Sequence, residues 1–68
     1  MNKIPRNIKY IIATCLSGNA EGRRMRITHD NNGYHGVEED NGNTWYVFLS
    51  HLRNEHCFRI EKIVTGEE

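Results

Sequence analysis

The chain has 68 residues, 37% of them hydrophobic, with nine basic and nine acidic side chains and only two cysteines. This length allows one small domain and excludes a second, and two cysteines are too few for the disulfide scaffold of a secreted mini-domain. No signal-peptide pattern is present, and no apolar run approaches the roughly 20 residues of a membrane-spanning helix. We therefore expect a cytoplasmic protein with reduced thiols and no membrane contact.

The first part of the chain predicts one strand and one loop. Residues 1 to 7 are polar and are expected to lead into a single domain over residues 8 to 64. Residues 8 to 16 are rich in β-branched and aromatic side chains, which favours a strand over a helix. The loop that follows, residues 17 to 22, contains Gly18 and Gly22, and both can adopt positive φ.

The middle of the chain has the pattern of a three-stranded antiparallel meander. Met25 and Ile27 alternate with polar residues and are expected to face inward. Each hairpin turn is rich in Asn and Asp and contains a glycine, which suits a type I turn closed by glycine at positive φ. Gly36, inside the third strand, predicts a bulge or a sharp bend. The strands and turns are, in order, residues 23 to 29, 30 to 33, 34 to 38, 39 to 43 and 44 to 49.

The segment 44 to 49 is apolar on both faces, although a strand can bury only one face in so thin a domain. Tyr46 and Phe48 are therefore predicted to be exposed, next to Tyr34 or Tyr10. Ser50 is expected to cap a short helical turn whose Leu52 points to the core. A last strand is predicted over residues 57 to 64, before an acidic tail at 65 to 68.

This order of elements is typical of an all-β fold, and it resembles a small five-stranded SH3-like barrel with one short helical turn before the last strand. The resemblance covers residues 8 to 64 and consists only of the pattern of strands and turns. The acidic first loop and the Pro-Ser-Asn-Tyr segment of peptide-binding SH3 domains are both missing. We therefore expect no proline-rich peptide ligand and transfer no functional residue. The segments that carry the resemblance are residues 22 to 27, 33 to 36, 45 to 49, 50 to 52 and 58 to 60.

Residues with catalytic or metal-binding chemistry are present but not in a useful pattern. The tightest histidine group, His51 with His56 and Cys57, lacks the second ligand pair of a zinc site. The adjacent carboxylates at 38 to 40 fall in a predicted solvated turn, where acid-base catalysis is not favoured. We expect no enzyme activity, no metal and no cofactor.

Cys15 and Cys57 are expected to be buried thiols, with a disulfide as the less favoured alternative.

The candidate function is binding. An exposed aromatic patch with arginines is typical of a protein-contact surface, and an edge strand would also allow homodimerisation. The small size suits an accessory protein of a phage or mobile element that inhibits or recruits a host protein. The candidate binding residues are Arg24, Arg26, Tyr34, Tyr46 and Phe48.

Two other interpretations of the same residues stay open. In the first, the barrel binds RNA or single-stranded DNA, with arginines on phosphates and stacked rings on bases, although zero net charge disfavours this. In the second, Trp45 and Phe48 belong to the core, and the arginines pair with Glu38, Glu39 and Asp40 on neighbouring strands.

Overall fold

The computed structural model describes residues 1 to 66, and its fold is mostly β. Five strands and one short helix follow in the predicted order, with boundaries shifted by one or two residues. The elements are β1 Ile8–Cys15, β2 Arg24–Asp30, β3 Gly33–Glu38, β4 Thr44–Val47, α1 Leu49–Arg53 and β5 Phe58–Thr65. Thr65, predicted to be in the tail, ends β5 instead, and the rest of that predicted acidic tail, Glu67 and Glu68, lies outside the described residues.

The strands form one antiparallel sheet in the order β4-β3-β2-β1-β5. The prediction of an all-β fold with five strands and a short helix before the last strand is confirmed. Within residues 1 to 66, β4 and β5 form the two edges and do not pair with each other, so the sheet is open between them.

The predicted turn between β2 and β3 is confirmed. Asn32 donates its backbone N–H to Asp30 Oδ1 at 2.8 Å, and Gly33 closes the turn with a φ of 118°. The only described residues with positive φ are glycines, namely Gly18, Gly22, Gly33 and Gly42. A turn at residues 31 and 32, closed by a glycine at positive φ, therefore connects the two strands.

Of the two outcomes predicted for Gly36, a bulge or a sharp bend, the bulge is absent. Gly36 pairs with Ile27 on one side and Trp45 on the other without a register shift. A Cβ at this position would lie 2.9 Å from Met25 Sδ and 3.3 Å from Val47 Cγ2, so the glycine leaves room for the core. The register shifts lie instead in the β1·β5 pairing, at Ile8/Tyr10 and Ile12/Ala13.

The core lies on the inner face of the sheet, where the largest fully buried side chains are Ile11, Met25, Ile27 and Leu52. The predicted inward positions of Met25 and Ile27 are thus confirmed. β1 is also covered on its outer face, because Ile12 and Thr14 are buried there and Thr14 Oγ1 donates to Glu61 Oε2 at 2.6 Å. Cys15 is buried, Cys57 is half-buried, and both are free thiols.

The helix α1 closes one end of the core with Leu52, as predicted, but Ser50 does not cap it. Phe48 occupies the N-cap position, and no side chain caps the helix. Asn2 from the lead-in segment holds this end of the fold, because its Nδ2 donates to the carbonyls of Leu52 and Phe58 at 3.0 Å each. In the part of the chain described, no helix is long and apolar enough to cross a membrane.

Candidate binding surface

Two aromatic side chains of the apolar segment lie on the protein surface. Tyr46 and Phe48 are each 55% exposed, whereas Val47 between them is 4% exposed and belongs to the core. Alternation along the strand explains the contrast, because successive side chains point to opposite faces. The predicted exposure of Tyr46 and Phe48 is confirmed.

The exposed rings continue into a row of four, which we call the aromatic row: His35, Tyr46, Phe48 and His51. Neighbouring ring centroids are 5.5 Å apart for His35 and Tyr46, 5.0 Å for Tyr46 and Phe48, and 5.3 Å for Phe48 and His51. All three pairs are edge-to-face, an arrangement that aromatic quadrupoles favour. The row is therefore an ordered surface in which each ring is supported by a neighbour.

The β2·β3 turn positions the first half of the row. Tyr46 pairs with His35 across the β3·β4 ladder, so both rings lie on the outer face of the sheet. The Tyr46 ring reaches over Gly33, where an added Cβ would lie 2.7 Å from the tyrosine hydroxyl. Gly33 therefore serves the turn and also leaves space for Tyr46.

The same turn carries a carboxylate beside the row. Asp30 Oδ1 lies 3.3 Å from His35 Nε2. The hydrogen bond from the Asn32 N–H, with a smaller contribution from His35, holds the pKa of Asp30 below its ordinary value. A carboxylate thus flanks the His35 end of the row.

The prediction that Tyr34 adjoins the exposed rings is wrong. Tyr34 pairs with Val47 and not with Tyr46, so its side chain lies on the inner face of the sheet. There it is half-buried against the core and stacks on His29 with ring centroids 4.3 Å apart. One residue of register decides which face of the sheet a strand residue occupies.

Arg24 lies on the outer face but is held by carboxylates. Its Nε is 2.9 Å from Glu61 Oε1 and its Nη1 is 3.1 Å from Glu39 Oε1. Arg23 Nε lies 3.7 Å from Glu38 Oε1. The predicted pairing of arginines with acidic residues of neighbouring strands is confirmed for these two arginines.

Arg26 has a different environment. Its guanidinium lies 4.1 Å from the centroid of the Tyr10 ring, a cation-π contact on the outer face. Arg26 pairs with Val37 and Tyr46 pairs with His35, so β3 separates the two strands that carry them. Two strand spacings and an offset of two residues along the strands place Arg26 and Tyr46 about 12 Å apart on one face. Of the five candidate residues, the structure brings Tyr46 and Phe48 into contact and leaves the two arginines on β2, two strands away on the same face.

Sequence reasoning missed the environment of Glu38. The composition of residues 38 to 40 predicts a solvated turn, but Glu38 ends β3 and is only 3% exposed. Trp45 donates its indole N–H to Glu38 Oε2, whereas Glu38 Oε1 has no hydrogen-bond partner among residues 1 to 66. Alternation along β3 is the signal that could have shown this. Glu38 lies two residues from Gly36 and pairs with the inward-facing Met25, so its side chain points to the core.

A cavity of about 150 Å³ opens on the inner side, between the first loop, β4 and the start of β5. Trp45, Phe58 and Met25 supply apolar lining, and Cys15 Sγ in its wall donates to the Ser17 carbonyl at 3.0 Å. Within residues 1 to 66, no three His, Cys, Asp or Glu side chains are grouped to hold a metal ion. The cavity can hold a few water molecules or one partner side chain.

Comparison with protein-family models, with curated proteins and with solved structures finds no match to this chain. The outer face and its aromatic row are therefore the features from which a function can be argued.

Proposed function

We propose that this chain is a non-catalytic small binding or regulatory protein that contacts a partner protein through its aromatic row. The observation that carries the proposal is the contact between Tyr46 and Phe48, two large rings that are each more than half exposed. Rings held by edge-to-face contacts lose little conformational entropy when they bind, and aromatic residues are enriched among the energetically dominant residues of interfaces.

The arginines define the edge of this proposed interface. Arg24 is neutralised by Glu39 and Glu61, while Arg26 is stacked on Tyr10 on the same outer face. A surface with an aromatic centre and charged residues around it is the usual arrangement of a protein-contact site.

We also propose that the fold is an SH3-like small barrel, which the strand order and the helix before β5 support.

Binding of RNA or single-stranded DNA is the second candidate, and the Arg26 cation next to Tyr10 is the observation that favours it. The ion pairs of Arg24 oppose it, because phosphate binding would have to displace two carboxylates. Protein binding is therefore the better-supported function.

The test is an affinity pull-down with the tagged chain and its Tyr46→Ala and Phe48→Ala variants. Both variants are expected to lose the bound protein, while added salt has little effect. His56→Ala is the matched control, since His56 is an exposed ring outside the row. Because each ring also makes edge-to-face contacts with its neighbours, each variant is expected to lose about 1–2 kcal/mol of unfolding free energy and to stay folded, which circular dichroism verifies.

A mobility-shift assay distinguishes the second candidate. Nucleic-acid binding would produce a shift that disappears with salt and with Arg24→Glu plus Arg26→Glu. A protein partner retained equally by Tyr46→Ala, Phe48→Ala and the parent would contradict the proposed surface.

A further inference from the structure

On the outer face of the sheet, Thr14 of β1 has a cation on each side. It pairs with Arg24 on β2 and with Arg59 on β5, so the three side chains form one line across the strands. Glu61 contacts all three. Its Oε1 is 2.9 Å from Arg24 Nε, and its Oε2 is 3.7 Å from Arg59 Nη2 and accepts the Thr14 hydroxyl at 2.6 Å. This pair of cations therefore binds a carboxylate over β1.

The same arrangement of cations recurs at Ile12, the next outward residue of β1. Ile12 pairs with Arg26 on β2 and with Lys62 on β5, and two strand spacings separate the backbones of these cations by about 10 Å. Among residues 1 to 66, no carboxylate lies within ion-pair distance of Arg26 or Lys62. The described part of the chain thus neutralises the first pair of cations and not the second.

Arg26 is held in position above β1. Its guanidinium lies 4.1 Å from the centroid of the ring of Tyr10, which also belongs to β1, so it extends toward the strand that carries Lys62. Ile12 is only 8% exposed between the two cations. Long basic side chains cover apolar surface in this way while their charges stay in water. An anion above Ile12 would meet one positioned guanidinium and one flexible ammonium.

We propose that Arg26 and Lys62 bind a carboxylate of the partner protein, in the way that the cations beside Thr14 bind Glu61. This inference rests on the proposed function and adds the chemistry of the partner, which carries an acidic side chain near the groups that meet the aromatic row. Charge complementarity supports it, because a carboxylate of the partner would neutralise the second pair of cations.

The outer face connects this site to the aromatic row. Val37, which is 40% exposed, pairs with Arg26 on one side and with Thr44 of β4 on the other. Along the sheet β4 and β5 are four strand spacings apart, about 19 Å, which is the length of about six extended residues. A partner segment of that length that crosses the strands can therefore contact the row at one end and Lys62 at the other.

A protein carboxylate fits this site better than a nucleic-acid backbone does. Phosphate binding gains its strength from counterion release, which grows with the number of basic contacts. The neighbouring cations, Arg24 and Arg59, are already in contact with Glu61. The two remaining cations match one or two carboxylates and do not form a track for a phosphate chain.

The first experiment needs no partner and uses the peptide hexaglutamate as the probe. NMR spectra of the parent record the titration at low salt, and the peptide is expected to shift the resonances of Ile12, Arg26 and Lys62. Arg26→Gln plus Lys62→Gln should abolish these shifts. The matched control is Lys3→Gln plus Arg53→Gln, which removes one lysine and one arginine that are exposed elsewhere. Circular dichroism verifies that both double variants stay folded.

Two outcomes of this titration would overturn the inference. In one, the shifts spread equally over all exposed cations, including Lys3 and Arg53. In the other, a thymidine hexanucleotide shifts Arg26 and Lys62 more than hexaglutamate does at the same concentration, which would assign the site to phosphate.

The second experiment measures the Kd of the partner captured by the tagged chain. An exposed ion pair changes Kd only a few-fold, so capture on beads survives added salt, whereas a binding isotherm resolves the difference. Arg26→Gln plus Lys62→Gln should raise Kd about three- to tenfold and reduce its dependence on salt. The control variant at residues 3 and 53 should bind like the parent.

Failure of this inference differs from failure of the proposed function. An unchanged Kd in the double variant, with the partner lost by Tyr46→Ala, would overturn the carboxylate site and leave the aromatic row as the contact surface. A partner retained by Tyr46→Ala would contradict the proposed function, whereas hexaglutamate shifts at Arg26 and Lys62 would still identify the carboxylate site.

Discussion

Trp45 donates its indole N–H to the carboxylate of Glu38, and this bond joins β4 to the end of β3 on the core side of the sheet. Arg23 Nε lies 3.7 Å from the other carboxylate oxygen. A buried acid is thereby given one donor and one positive charge, which is the condition under which burial of a carboxylate is tolerated.

We predict that Glu38→Ala destabilises the protein by about 1–3 kcal/mol, because it leaves the indole N–H without an acceptor. Glu38→Gln, which keeps an acceptor oxygen, should cost less. Trp45 is the single tryptophan of the chain, so its fluorescence reports urea unfolding directly. Equal stabilities for Glu38→Ala and the parent would show that the bond contributes nothing.

Gly36→Ala should destabilise the protein by about 1–3 kcal/mol, since the new methyl group would overpack the core between Met25 and Val47. Thermal unfolding by circular dichroism measures the change. Val37→Ala is the control, because Val37 is 40% exposed on the outer face, and it should shift stability by no more than about 0.5 kcal/mol. A Gly36→Ala protein as stable as this control would mean that the core adjusts at no cost.

The helix α1 depends on Leu52 and not on a capping side chain. Leu52→Ala should cost about 2–5 kcal/mol, because the residue is fully buried and its removal leaves a cavity. Ser50→Ala should be close to neutral, since no side chain caps this helix. Chemical denaturation of both variants checks the pair, and a large loss for Ser50→Ala would contradict the observed cap.

Stability should fall at acid pH partly through Glu61. The Thr14 hydroxyl, and then Arg24, hold the pKa of Glu61 below its ordinary 4.5. A carboxyl whose pKa is lower in the folded state stabilises the fold above its unfolded pKa, and this contribution is lost as the pH falls through the folded pKa. Glu61→Gln and Thr14→Val should therefore both flatten the dependence of unfolding free energy on pH below about 4.5. Parallel pH profiles for parent and variants would refute this role.

Strand periodicity and turn composition predicted most of the fold. Met25 and Ile27 alternate with polar neighbours, and glycine closes the β2·β3 turn, so local chemistry alone specified that hairpin. The apolar segment at 44 to 49 also predicted exposed rings at Tyr46 and Phe48. These features depend on residues close together in sequence.

The errors arose where register or distant packing decides the outcome. Tyr34 occupies the inner face because it pairs with Val47, and that pairing cannot be read from a single strand. Gly36 is small because Met25 and Val47 crowd it from two neighbouring strands. The composition around Glu38 predicts a solvated turn, whereas its hydrogen-bond partner, Trp45, lies seven residues further on.

The pairing of β1 with β5 also has a consequence during synthesis. Ile8 pairs with Thr65 and Cys15 pairs with Phe58. The backbone groups on one side of β1 therefore have no partner strand until β5 has been synthesised. Until then Ile11 and Ala13 belong to an unprotected edge in a nascent chain. Contacts that close so large a loop form slowly, and we expect the late arrival of β5 to limit the folding rate.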